Sequence, residues 1–160
     1  MENWWHNTLI GQFHAAIATL GETIAHCPES QWHEAHGDYP FSQVVFHTLF
    51  FTDYYLQHRP ERFREQEFHL RNPELFQDYE ELEPRIPRNT YGRAACRKYL
   101  DFCVEKVENT VASETEERLC GESGFERLRF TRGELYVYTI RHIQHHAAQL
   151  GLRLQTLTGK

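Results

Sequence analysis

The chain of 160 residues has the usual length of one domain and can bury one sizeable core. Its 17 Lys and Arg against 23 Asp and Glu give a net charge of −6, which argues against a nucleic-acid-binding protein. The N-terminus lacks the pattern of a signal peptide, and no apolar run is long enough to cross a membrane. We therefore expect a single domain over residues 1–160, located in the cytoplasm, with neither nucleic acid nor membrane as a partner.

The first two predicted helices carry strong apolar patterns. Apolar residues recur at three- and four-residue steps over residues 5–26, which predicts a helix with one buried face, and Pro28 ends it. A loop follows. The second helix is predicted to start at Ser42 as N-cap and to run to about His58, before Pro60. Because it is apolar around most of its circumference, it should be the most buried helix.

The second half of the chain predicts one long connection and two further helices. Residues 59–90 hold four prolines and many charges, which indicates a crossover with short helical turns. Thr90 is the predicted cap of helix three, and helix four should begin near Thr131 and end at about Leu157. No segment alternates at period two. The fold class is therefore predicted as all-α, a four-helix bundle with a long connection between helices two and three.

The four cysteines give no sign of a disulfide framework or of a structural zinc site. Cys27, Cys96, Cys103 and Cys120 form no CxxC pair and are spread along the chain. We expect buried small hydrophobic side chains rather than disulfides, in keeping with the predicted cytoplasmic location.

Histidines are concentrated in the predicted fourth helix, in the segment "RHIQHHAAQL" at residues 141–150. At about 100° per residue, His142 and His146 share a face that borders the apolar side, whereas His145 turns toward the polar side. Side chains four residues apart lie one above the other and can grip one ion. The local pattern thus predicts two metal ligands and excludes His145.

A third ligand candidate is His47, on the most apolar side of predicted helix two. Alone, His47 is also explained as a core histidine with a hydrogen-bond partner, and an HxxxH pair arises by chance in a histidine-rich helix. Three core-facing histidines on two long helices favour a metal site, with simple ring packing as the alternative. The segment "WHEAH" lacks the HExxH spacing, because His33 and His36 are three apart, and is interpreted as a surface loop.

These motifs resemble the DinB/YfiT-like family of four-helix metalloproteins. The family has a histidine early in helix two and a fourth-helix motif close to NHxxHHRGQ, which this chain matches in "RHIQHHAAQLG" and "VVFHTLFFTDYYL". Arg141 stands in place of the Asn, and Ala147 and Ala148 in place of Arg–Gly. The order of the helices and the long connection agree as well, so the resemblance covers nearly the whole chain.

The resemblance implies one divalent metal ion, zinc or nickel, held by His47, His142 and His146, and a homodimer. It also implies a metal-dependent transferase that activates a low-molecular-weight thiol, its co-substrate, toward a small electrophile. Tyr54 and Tyr138 are candidates for lining the substrate pocket. Two alternatives stay open: a metal-dependent hydrolase at the same site, and a non-enzymatic metal-binding stress or interaction protein.

Overall fold

The computed structural model describes residues 4–35, 37 and 39–159, and this part of the chain is helical, without a β-strand. Its two isolated β-bridges join Ala35 to Pro40 and Glu122 to Thr131. The predicted all-α class is confirmed, although six α-helices rather than four are present over these residues. The helices are α1 (Trp4–His26), α2 (Phe41–Tyr55), α3 (Glu67–Arg71), α4 (Arg93–Ala112), α5 (Glu116–Cys120) and α6 (Arg132–Thr158).

Helices α1 and α2 lie where the apolar patterns predicted them, but the predicted cap of α2 is wrong. Pro40 occupies the N-cap position, and Ser42 lies inside the first turn, fully buried, 3.2 Å from His33 Nδ1 through its Oγ. Proline suits the start of a helix because backbone N–H groups there have no acceptor within the helix, so the N–H that proline lacks is not needed. Eleven of the 15 residues of α2 are buried, so the expectation of a deeply buried helix holds.

Helix α6 starts as predicted, whereas the start predicted for α4 is wrong. Thr131 caps α6 through a capping box with Glu134, which satisfies two of the backbone N–H groups at the helix start. Helix α4 has Gly92 rather than Thr90 at its N-cap position. Short helix α5 was not predicted: Thr115 caps it by accepting a hydrogen bond from the Arg118 backbone N–H.

The long connection between α2 and α4 contains three short turns of helix, as predicted. These are the 3₁₀ segments Pro60–Glu65 and Glu80–Leu82 and the helix α3. Buried Glu80 stabilises the turn Glu80–Leu82, since its carboxylate accepts hydrogen bonds from the backbone N–H groups of Arg88 and Asn89, at 2.7 and 2.8 Å. A buried, well-bonded carboxylate fixes the local backbone, and with it the position of the next residue, Glu81.

A buried polar network ties the same connection to the helices. Asp53 on α2 accepts hydrogen bonds from Tyr99 on α4 at 2.7 Å, lies 2.7 Å from His69 Nε2 in α3 and forms an ion pair with Lys106. The cation and the hydrogen bonds hold the pKa of Asp53 below its usual value although the side chain is fully buried. The network joins α2, α3 and α4 near the C-terminal end of α2, the helix that carries His47.

The core is formed where the four long helices meet. Helices α1 and α2 each contact both α4 and α6. The cysteines are free, and Cys27, Cys96 and Cys103 are buried as expected, whereas the exposed Cys120 on α5 contradicts the expectation of burial. Over the described residues, no helix is both long and apolar enough to cross a bilayer.

Candidate metal centre

Three histidine side chains converge between α2 and α6. The Nε2 atom of His142 lies 3.3 Å from Nε2 of His47 and 3.1 Å from Nε2 of His146. One ring nitrogen of each residue lies within 4.8 Å of those of the other two, and all three side chains are partly buried. The i, i+4 spacing on α6 brings two rings together, and the packing of α2 against α6 adds the third.

A buried carboxylate orients the His47 ring. Glu81, whose side chain is 3% exposed, lies with Oε2 2.8 Å from His47 Nδ1, and its Oε1 accepts a 2.6 Å hydrogen bond from Gln43 Nε2. An ionised carboxylate only accepts hydrogen bonds, so His47 must carry its proton on Nδ1. In the tautomer that binds a metal, the lone pair of His47 is then on Nε2, the atom that faces His142.

A side-chain amide does the same for His146. Its Nδ1 lies 2.8 Å from Oε1 of Gln149, one turn further along α6. Because the amide oxygen is an acceptor, Nδ1 of His146 is the protonated atom and Nε2 again carries the lone pair. The Nδ1 atom of His142 is buried without a hydrogen-bond partner among the described residues.

Burial and mutual proximity keep two of the rings neutral. Burial, and then the neighbouring His146 and His47, lower the pKa of His142 to about 3. The pKa of His146 falls to about 4, mainly through burial and then through His47. Neutral imidazole is the form that binds a metal, so these rings are ready to act as ligands at neutral pH.

The spacing of the nitrogens fits a divalent ion. Two nitrogens each 2.0–2.1 Å from a zinc ion lie about 3.3–3.4 Å apart at a tetrahedral angle and about 2.9 Å apart at a right angle. The separations of 3.1 and 3.3 Å lie between these values. Convergent nitrogen lone pairs repel one another unless a proton or cation lies between them, which makes this donor set suitable for a metal.

An open cavity of about 500 Å³ adjoins the cluster. It is large enough for a small substrate, since ligand pockets typically measure about 300–1,000 Å³. His47, His146, Glu81 and Gln149 form part of its wall. The remaining lining residues are Tyr39, Gln43, Val44, Phe51, Arg85, Pro87 and Arg153.

The DinB superfamily model matches residues 12–150, which is most of the chain and includes all three histidines. The chain belongs to the DinB superfamily. No curated protein and no solved structure matches it. Membership in the DinB superfamily agrees with the resemblance drawn from the two histidine motifs, and it leaves the substrate open.

The other residues singled out in the sequence of this DinB protein lie outside the cluster. His145 is exposed, and the three-histidine set does not include it. Tyr138 packs beside His142 with ring centroids 6.4 Å apart, and Tyr54 packs against Phe63 and Phe125. Neither tyrosine is among the residues that line the cavity.

The remaining histidine motif also lies apart from the cluster. His33 is exposed and lies near Ser42, in keeping with a surface loop, whereas His36 falls outside the described residues. Two residues of the cavity wall that sequence reasoning did not single out are Glu81, which contacts His47, and Arg153. Glu81 is one of several glutamates in the crossover, and nothing in the local sequence distinguishes it. Arg153 lies one turn beyond Gln149, so its position on the histidine face of α6 was available from helical spacing alone.

Proposed function

We propose that this DinB protein binds one divalent metal ion, zinc or nickel, through Nε2 of His47, His142 and His146. The observation that carries the proposal is the convergence of three imidazole rings: Nε2 of His142 lies 3.1 Å from Nε2 of His146 and 3.3 Å from Nε2 of His47. Glu81 and Gln149 orient the rings of His47 and His146. Three neutral ligands leave the ion its full charge and at least one open position, the pattern of a catalytic site.

We further propose a metal-dependent transferase that activates a low-molecular-weight thiol toward a small electrophile. A bound divalent ion lowers the pKa of a thiol or water at its open position, which supplies a nucleophile at neutral pH. The adjoining cavity of about 500 Å³ has room for a small second reactant. The role of the protein is to fix the tautomers of the imidazole rings and to exclude bulk water from the half-buried cluster.

We also propose a four-helix bundle, a homodimer and a cytoplasmic location. Helices α1, α2, α4 and α6 would constitute a four-helix bundle, supported by the contacts of α1 and α2 with both other helices. A homodimer is proposed from the family resemblance, and Trp4, which is 74% exposed at the start of α1, offers apolar surface that such a contact could cover. A cytoplasmic location is supported by the four free cysteines.

The test begins with protein purified without a histidine tag. Metal content is measured after dialysis, and the loaded protein is then incubated with a thiol-reactive electrophile, with and without an added small thiol. The proposal requires bound metal and a rate that depends on both metal and thiol. Turnover without thiol would point to a hydrolase, and bound metal without any turnover to a non-enzymatic metal-binding protein.

A variant pair ties the result to the histidines. His47→Ala should abolish both the retained metal and the thiol-dependent rate, because it removes the ligand supplied by α2. His145→Ala should change neither, because His145 is exposed and lies outside the three-histidine set. Equal metal retention in both variants would contradict the proposed site.

A further inference from the structure

Two arginines line the cavity beside the histidine cluster, and among the described residues only Arg85 has a carboxylate counter-ion. Arg85 forms an ion pair with Asp78, and its Nη1 lies 3.9 Å from Glu80 Oε2. Arg153 instead donates from Nη1 to the backbone carbonyl oxygen of Tyr39 at 2.9 Å. Over the described residues, no carboxylate oxygen lies within 4.0 Å of the Arg153 guanidinium.

The surroundings of Arg153 increase the energetic cost of its positive charge. The side chain is half-buried, and this burial lowers its pKa. Among the described residues of the cavity wall the single carboxylate is that of Glu81, which is already engaged by Gln43 and His47. A cation that is partly withdrawn from water and has no anionic partner is stabilised by an anion that enters the cavity.

Arg153 and the histidines lie on one face of α6. Arg153 follows His146 by seven residues, which is two helical turns, or about 10.5 Å along the axis. Gln149 lies between them and uses its Oε1 for His146. Gln149 and Arg153 both line the cavity, so the amide and the guanidinium face the same space as the cluster.

We propose that the cavity selects a substrate that bears one carboxylate group, held by Arg153 while the reactive end of the substrate lies at His47 and His146. A guanidinium without a carboxylate partner among the described residues matches one negative charge, and its planar fork matches the geometry of a carboxylate. The inference rests on the proposed function, since it names the substrate class of that site.

The experiment compares two thiols that have the same chain but a different head group, a carboxylate in one and a neutral amide in the other. The zinc-loaded protein is titrated by calorimetry with 6-mercaptohexanoate and with its neutral analogue 6-mercaptohexanamide, whose flexible chains allow the thiol and the head group to reach different parts of the cavity. Wild type should bind the carboxylate about tenfold more tightly, equal to about 1.4 kcal/mol. Arg153→Gln should abolish this preference without changing the affinity for the amide.

Two further variants distinguish a carboxylate site from a general effect of charge or of stability. Arg97→Gln makes the same change in charge at an exposed position on α4 and should keep the tenfold preference. Arg153→Lys retains the cation and should keep part of it. Thermal unfolding of every variant verifies the fold. Equal binding of the two thiols by wild type, or a preference that survives in Arg153→Gln, would overturn the inference while the proposed function stands.

Failure of the proposed function gives a different result. If neither thiol binds the zinc-loaded protein, the thiol-dependent activity is refuted. The carboxylate site is then judged on chelator-treated, metal-free protein with hexanoate and hexanamide, by changes in NMR chemical shift. Preference for hexanoate that is lost in Arg153→Gln would support the carboxylate site by itself, and equal binding of the two would refute it as well.

Discussion

Replacing Glu81 with alanine should weaken metal binding without unfolding the protein. The substitution removes the acceptor that lies 2.8 Å from His47 Nδ1 and so releases the ring tautomer and orientation. Loss of such a partner typically lowers metal affinity 10- to 100-fold, which is about 1.4–2.7 kcal/mol. Because the Glu81 side chain is only 3% exposed, water replaces the lost acceptor poorly, and alanine should lie near the upper end.

The milder substitution Glu81→Gln separates hydrogen bonding from charge. Glutamine keeps one acceptor oxygen for His47, provided that the Gln43 amide turns to accept from the new N–H group. The tautomer is then retained and only the charge is lost, so we expect a weakening of about tenfold. We therefore expect the metal affinity to fall in the order wild type, Glu81→Gln, Glu81→Ala.

The assay is competition for zinc against a chromogenic chelator at neutral pH, together with thermal unfolding of the metal-free proteins. Glu83→Gln is the matched control, because Glu83 is an exposed carboxylate two residues further along the same connection. A folded Glu81→Ala protein with the zinc affinity of wild type would refute the reasoning. A loss of affinity equal in Glu83→Gln would show that net charge, rather than orientation of the ring, is responsible.

Three further predictions concern ligands, pH and stability. His142→Ala should lose metal during dialysis whereas His145→Ala retains it, measured as metal per chain, and equal retention would contradict the assignment. Burial and neighbouring rings lower the pKa of His142 to about 3, against about 6.5 when unfolded, so the unfolded chain takes up this proton first as pH falls. The free energy of unfolding of the metal-free protein should therefore decrease as pH falls from about 6.5 toward 3, by at most about 1.4 kcal/mol per pH unit from this group. Urea unfolding measured at several pH values should show that the free energy of unfolding depends less steeply on pH in His142→Ala than in wild type. The same pH dependence in both proteins would contradict this prediction. Asp53→Ala should destabilise the fold by about 3–5 kcal/mol, since it leaves Lys106 without its buried partner, whereas the exposed control Asp101→Ala should change stability little.

The helical class and the longest helices could be predicted from the sequence because their signals are local. Apolar periodicity placed α1 within one residue of its observed start, and the predicted start of α6 near Thr131 was correct. The pairing of His142 with His146 is equally local, since it follows from four-residue spacing on one helix. Where two local signals compete, prediction was wrong: Ser42 and Thr90 are good caps, yet Pro40 and Gly92 occupy the positions.

The rest of the candidate site was decided by tertiary structure. His47 meets the α6 histidines only because α2 packs against α6, and the choice between a core histidine and a ligand could not be made from helix two alone. Glu81 reaches His47 across 34 residues of chain through a connection whose turns are fixed by the buried carboxylates of Asp53 and Glu80. No periodicity records such contacts. Spacing along one helix is set by backbone geometry, whereas a contact across an irregular connection depends on which buried polar groups find partners when the whole chain packs.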